Sequence, residues 1–290
     1  MLRRVRILAT VAPLLAGTPV LAQPLASESS GIWMFGVGGQ TDDQGNDSLL
    51  ATFNWGVTKG TWLSFTAGRS SSPDDRASID ADTLVASVDH KFGAVGVAFE
   101  IERWGDEDAL ETSDWRGTVY YGSDRYRIGV GYEHRDIDIP FTIVGPLGGR
   151  ISRTAELQSD SLGIDVRVQP AAGWQVYFSA TEYDYDRDLA PLPRIAQLSF
   201  LSASTLTLAN SFIDHERVIG FDRELGAKLI TVTYVTDRSA IDGAKFTTFD
   251  AALLFPIGKR VDLEVNVGYG RSELAAAGIY GGLLFLLYAR

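Results

Sequence analysis

The segment RYRIGVGYEHR, residues 125–135, decides how the rest of the chain is read. Tyr126, Ile128, Val130 and Tyr132 alternate with Arg127, Gly129, Gly131 and Glu133. Successive side chains of a strand point to opposite faces, so bulky apolar groups fall on one side and charges and glycines on the other. AVGVAFEIERW (94–104) repeats the pattern, with Val95, Val97, Phe99 and Ile101 against Gly96, Ala98, Glu100 and Glu102. VDLEVNVGYG (261–270) does so again, as do Ser161 to Gln169 and Trp174 to Tyr185. Such runs outlast the usual ~5–6 residues of soluble strands and match the ~9–11 that a tilted strand needs to cross a bilayer.

Extended along the chain, this periodicity predicts about fourteen strands, and an all-β protein. They fall at 31–40, 47–58, 60–69, 78–92, 94–105, 110–122, 125–137, 159–169, 173–185, 212–223, 227–238, 243–256, 260–271 and 277–288. The connections sort into two kinds. Tight turns follow the even strands, at Thr58-Lys59-Gly60, Lys91-Phe92-Gly93, Gly122-Ser123-Asp124, Pro170-Ala171-Ala172, Glu224-Leu225-Gly226 and Pro256-Ile257-Gly258. Longer polar loops follow the odd strands: Thr41 to Asp47, Ser70 to Arg76, Asp138 to Asp160 and Asp186 to Ser211. Alternation of short and long connections is expected of an up-and-down transmembrane barrel, with periplasmic turns on one rim and external loops on the other. An even strand number returns both termini to the turn side.

The closed form follows from hydrogen bonding, because in lipid every backbone donor and acceptor must be satisfied within the sheet. Outward positions such as Val95, Ile128, Val166 and Val265 then meet acyl chains, and Trp33, Trp55, Trp115, Trp174, Tyr126, Tyr132 and Tyr269 suit interfacial girdles. A soluble sandwich is the competing fold; it would bury these residues in a core, but with unusually long strands and no reason to sort its loops.

Composition agrees with export. The chain of 290 residues has no cysteine, and its mean hydropathy of +0.02 is what alternating strands produce. Residues 1–22 read as a signal peptide: Arg3, Arg4 and Arg6 precede an apolar stretch from Ile7 to Val20, and Val20-Leu21-Ala22 offers small-residue cleavage chemistry before Gln23. Residues 23–30 form a short N-terminal segment, and 31–290 the barrel. Cleavage after Ala22 leaves 23 basic and 37 acidic residues, a net charge of −14, which excludes a nucleic-acid partner. Beyond residue 22 no uncharged apolar run reaches the length of a membrane helix.

These features together resemble the bacterial outer-membrane porins, in particular the monomeric type of about fourteen strands. The resemblance is architectural, covers most of residues 31–290 and includes no motif that identifies a substrate. It implies a passive channel for small polar solutes or ions in a Gram-negative outer membrane, in contact with outer-membrane lipid and lipopolysaccharide, inserted by the barrel-assembly machinery, without a cofactor, and as a monomer rather than a trimer. In one respect the chain departs from the pattern. Such barrels usually end in an aromatic residue, whereas here Ala289 and Arg290 follow Tyr288, which would have to stand in for it.

If apolar side chains face lipid, the alternate set lines the lumen. The basic members are Arg116, Arg127, Arg135 and Arg167. The acidic members are Glu100, Glu102, Asp114, Glu133 and Asp165 on the central strands, and Asp214, Glu216, Asp222, Asp250, Asp262 and Glu264 on later ones. Two arrangements are open: arginines and late acids facing each other across an acidic, cation-preferring pore, or arginines neutralised by neighbours such as Glu133 and Asp165. Fourteen strands give a backbone radius of about 14 Å, too wide to be filled as an eight-stranded barrel is. The loop 186–211, with Leu189, Leu192, Ile195, Leu198, Phe200 and Leu201, is the candidate plug.

Other function classes are weaker. A non-conducting structural or partner-binding barrel has the same pattern. A lipid-modifying hydrolase would need a serine beside a histidine. Of His90, His134 and His215, His134 at the end of an outward stripe with Tyr132 is the one such a reading would pick, and no motif nominates its serine. No metal-ligand spacing links the histidines, and the loop Asp42-Asp43-Gln44-Gly45-Asn46-Asp47 lacks the twelfth-position glutamate of a calcium loop. A hydrophobic-substrate transporter would need an internal plug domain and a lateral opening, and the eight or so residues from Gln23 to Ser30 before the first strand are too few for such a plug.

Overall fold

The computed structural model describes residues 31–43, 45–72, 79–106, 110–123, 125–144, 150–187, 189, 212–273 and 277–289. The signal peptide predicted at 1–22 and most of the candidate plug lie outside the described residues. Fourteen strands run in order: β1 (Trp33–Asp42), β2 (Asp47–Thr58), β3 (Thr61–Ser72), β4 (Ile79–Phe92), β5 (Val95–Asp106), β6 (Leu110–Gly122), β7 (Tyr126–Val144), β8 (Arg150–Ala171), β9 (Trp174–Tyr185), β10 (Ile213–Leu225), β11 (Lys228–Ser239), β12 (Lys245–Pro256), β13 (Val261–Ser272) and β14 (Gly278–Ala289). Each pairs antiparallel with its sequence neighbours, and β1 pairs with β14 from Trp33↔Ala289 to Asp42↔Tyr280, so the sheet closes. Tight turns join β2–β3, β4–β5, β6–β7, β8–β9, β10–β11 and β12–β13 at one rim, and the longer connections lie at the other. At the turn rim Gly93 and Gly226 take φ of 69° and 64°, a conformation that side-chain-bearing residues resist.

Burial is inverted relative to a soluble domain. Phe35, Phe65, Phe99, Ile128 and Phe285 are 40–52% exposed, while Glu133, Arg135, Glu216 and Asp222 are no more than 4% exposed. A continuous apolar exterior of this kind is stable only against a non-aqueous surrounding. On β14 the outward residues Ile279 to Leu287 rise about 20 Å along a strand tilted near 40°, close to the ~25 Å apolar band of membrane barrels. Trp33 and Trp55 pair across β1–β2, and Tyr121, Tyr126 and Trp174 also cluster near the turn rim.

Two features depart from expectation. The segment 138–160, expected as a loop, instead continues the β7–β8 hairpin. β7 is last paired with β6 at Glu111↔Asp138, after which six pairs, Ile139↔Ala155 to Val144↔Arg150, form a two-stranded ribbon about 20 Å long beyond the barrel wall. Ile137, Ile139 and Phe141 keep the period-two pattern there, and Pro140 hides it. The second departure concerns Tyr288. It faces inward and donates to Asp262 Oδ2 at 2.7 Å, so the outward side chains near the end of β14 are Phe285 and Leu287.

Candidate functional site

Inward side chains of β5–β8 form a charged wall. Arg116 donates to Glu133, with Nε at 2.9 Å, and lies 3.8 Å from Glu100. Arg135 bridges Asp114 and Glu133 at 2.9 Å each, its guanidinium 5.2 Å from the centre of the Tyr183 ring. Arg127 lies 3.6 Å from Asp165 and stacks 3.7 Å over the Tyr120 ring, whose hydroxyl donates to Asp89 at 2.8 Å. Arg167, also buried, is the direct cross-strand partner of Arg127. Glu102 faces inward two residues beyond Glu100. Arg116, Arg127 and Arg135 thus meet four carboxylates, Glu100, Asp114, Glu133 and Asp165, and neutralisation by neighbours is the arrangement these three adopt.

The wall of β10–β13 differs. Glu216 and Asp237 are direct cross-strand partners, both inward and both buried. Like charges directly opposite repel. Asp222 accepts from Thr231 at 2.9 Å, Asp250 from the Tyr280 hydroxyl, and Asp262 from Tyr288, while Glu264 is buried one pleat further along β13. None of these six acids is ion-paired with a described residue. Glu216 Oε2, Asp222 Oδ2, Asp237 Oδ1, Asp250 Oδ2 and Glu264 Oε1 are buried without a hydrogen-bond partner among the described residues. A cavity of about 140 Å³ separates the walls, with Glu100, Arg116, Glu133 and Arg167 on one side and Glu216 on the other.

Asp214 is the exception among the expected lining residues. A register shift between Ile213 and His215 places it in a bulge at the long-loop rim, where it is half-exposed and 3.2 Å from His215 Nδ1. Asp237 and Asp89 were not expected in the lumen. Asp237 follows the nearly unbroken apolar and threonine run of β11, in which inward Val235 blurs the alternation. Tyr120, Tyr177 and Tyr280 were also missed. Each lies directly opposite a glycine, Gly96, Gly220 and Gly268, and covers it closely enough that a Cβ would fall 2.0–2.3 Å from the ring.

Apolar side chains also face inward. Near the turn rim Ile32, Met34, Leu50, Trp62, Leu229, Leu254, Leu284 and Leu286 form one cluster on β1–β3, β11, β12 and β14 and the residue before β1. At the long-loop rim Leu110, Ile137, Ile139 and Leu157 join Leu189, Phe212 and Ile241, with Phe141 packed against them. Of the candidate plug, Leu189 belongs to this cluster; Leu192, Ile195, Leu198, Phe200 and Leu201 lie outside the described residues. On the outer wall His134 has Nδ1 2.8 Å from Asp160 and Nε2 3.6 Å from Asp136. Among the described residues no serine is hydrogen-bonded to its ring.

Comparison with known proteins places this architecture. The chain superposes on the CymD monoaromatic hydrocarbon channel with a TM-score of 0.54 and 10% identity, over 89% of this chain and 88% of that one. It superposes on a loop-deletion mutant of OmpT, an outer membrane protein of Vibrio cholerae, with a TM-score of 0.52 and 7% identity, over 90% of this chain and 99% of that one. The fold is that of the porin-type outer-membrane barrels. No family model matches the chain, and no curated protein matches its sequence. The barrel is thus common ground with these outer-membrane proteins.

Proposed function

We propose that this barrel is a porin-like channel of the outer membrane, delivered by the signal peptide at 1–22, that passes small solutes and prefers cations. One observation carries the preference: Glu216, Asp222, Asp237, Asp250, Asp262 and Glu264 on β10–β13 form no ion pair with a described residue, whereas Arg116, Arg127 and Arg135 on the opposite wall are each tied to a carboxylate. A narrow passage with a net acidic lining concentrates cations and repels anions. The test is the reversal potential of the purified mature protein in planar bilayers under a KCl gradient. We expect a cation-selective potential that shrinks toward zero in the Glu216→Gln/Asp237→Asn variant. An anion-selective potential overturns the preference, and absence of conductance favours the structural, non-conducting barrel.

The inward apolar clusters favour a second reading, in which the permeant carries an apolar part beside its charge. The similar CymD barrel bears the name of a monoaromatic hydrocarbon channel, which agrees with such a lane. Bi-ionic potentials with benzylammonium against ammonium distinguish the two, because a purely polar sieve favours the smaller ion.

A further inference from the structure

The outer wall of β10–β13 has a charge pattern that the pore does not use. Moving toward the long-loop rim, the last apolar row there is Ile219, Tyr234, Phe249 and Tyr269, consecutive cross-strand partners that are all exposed. One pleat further lies the row Arg217, Thr236, Thr247 and Arg271, and beyond it His215, Arg238 and Lys245. Arg217, Arg238, Lys245 and Arg271 are exposed, and none of them is ion-paired with a described residue. With strands ~4.8 Å apart, the two arginines of the lower row stand about 15 Å apart with two hydroxyls between them.

Elsewhere around the same rim three basic groups are held by acids. Arg69 lies 3.3 Å from Asp80, Arg103 lies 2.7 Å from Glu111, and His134 lies 2.8 Å from Asp160. Two acids beside the β10–β13 patch are engaged otherwise: Asp214 meets His215, and Glu273 accepts the Lys245 backbone amide at 3.2 Å; Glu182 stands opposite His215 in the strand register. An acidic chain has thus kept four cations side by side, without an ion pair to a described residue, immediately above its apolar band.

We infer that this patch docks the phosphorylated headgroup of an anionic lipid in the leaflet at the long-loop rim. An arginine fork matches phosphate oxygens, threonine hydroxyls supply further donors, and the aromatic row below meets the first carbons of the acyl chains. A free phosphate has no use for that row, so charge and position together select a lipid. The inference rests on the membrane-spanning reading but not on ion conduction.

The test uses the full mature barrel, purified in a neutral detergent and titrated by native mass spectrometry with diphosphorylated lipid A and with its dephosphorylated form. We expect the phosphorylated lipid to bind at least tenfold more tightly, and that margin to vanish in Arg217→Gln/Arg238→Gln/Arg271→Gln. The Arg69→Gln/Arg103→Gln variant, altered at the neutralised sectors, should bind as the unaltered protein does. Equal binding of both lipids, or an undiminished margin in the triple variant, overturns the proposal. Displacement of the lipid by millimolar inorganic phosphate alone also overturns it. Heat-modifiable gel mobility verifies that each variant is folded. Bilayer conductance of the same samples reads the channel separately, so a silent barrel that binds lipid refutes only conduction.

Discussion

Tyr280 lies over Gly268 and donates to Asp250 Oδ1, so one aromatic ring covers the bare backbone of one strand and engages one oxygen of a carboxylate on another. The Gly268→Val variant has no room for its side chain unless that ring leaves, and should lose about 1–3 kcal/mol of stability. Gly117→Val, at a position with open space around it, should be neutral. Urea unfolding of the two variants in lipid vesicles checks the contrast. Arg135 poses a different case, since its removal leaves Asp114 and Glu133 close together without their shared cation. Arg135→Ala should cost about 3–5 kcal/mol by the same measurement. A loss below about 1 kcal/mol would mean that water already screens the group. The arginines and most of the acids of this lining were legible in the sequence because they alternate with outward apolar residues. The covering tyrosines were not, because a tyrosine in a strand suits an interfacial girdle as well as a lumen. Nothing local tells Tyr280 from Tyr269; only the register does.

At the scale of elements, periodicity located all fourteen strands to within about three residues at most ends. The exceptions, the far end of β7 and the start of β8, show where pattern reading stops. Proline lacks a donor for the ladder and so argues against a strand, yet a two-stranded ribbon has open edges that tolerate it. Phe141 on that ribbon packs against the cluster that includes Leu189, Phe212 and Ile241, at the mouth of the barrel. Replacing residues 140–154 by an Asn-Gly turn should leave the wall intact and raise single-channel conductance. Unchanged conductance in planar bilayers would show that the ribbon does not narrow the path.

For the whole molecule, the inversion of apolar and polar residues made the fold readable, because lipid outside and water inside impose period two on every strand at once. The direction of the lumen field was less legible. Composition placed arginines on one side and acids on the other, but pairing is a matter of side-chain reach, and the nearest carboxylates had already taken Arg116, Arg127 and Arg135. Permeation should therefore follow the β10–β13 acids. Neutralising Glu100 together with Arg116 should change selectivity less than neutralising Glu216 with Asp237, as reversal potentials under a salt gradient will show.

The junction of β1 with β14 joins the first described strand to the last, some 250 residues apart in sequence. Contacts so distant in the chain close slowly, and until they close both outer strands present unpaired backbone groups. Closure therefore has to wait for the last strand to be synthesised and exported. In the interval the incomplete sheet is an aggregation hazard that a periplasmic holding factor would have to suppress. A chain cut before residue 278 should never leave that state, and should be recovered as protease-sensitive aggregate rather than as a smaller barrel.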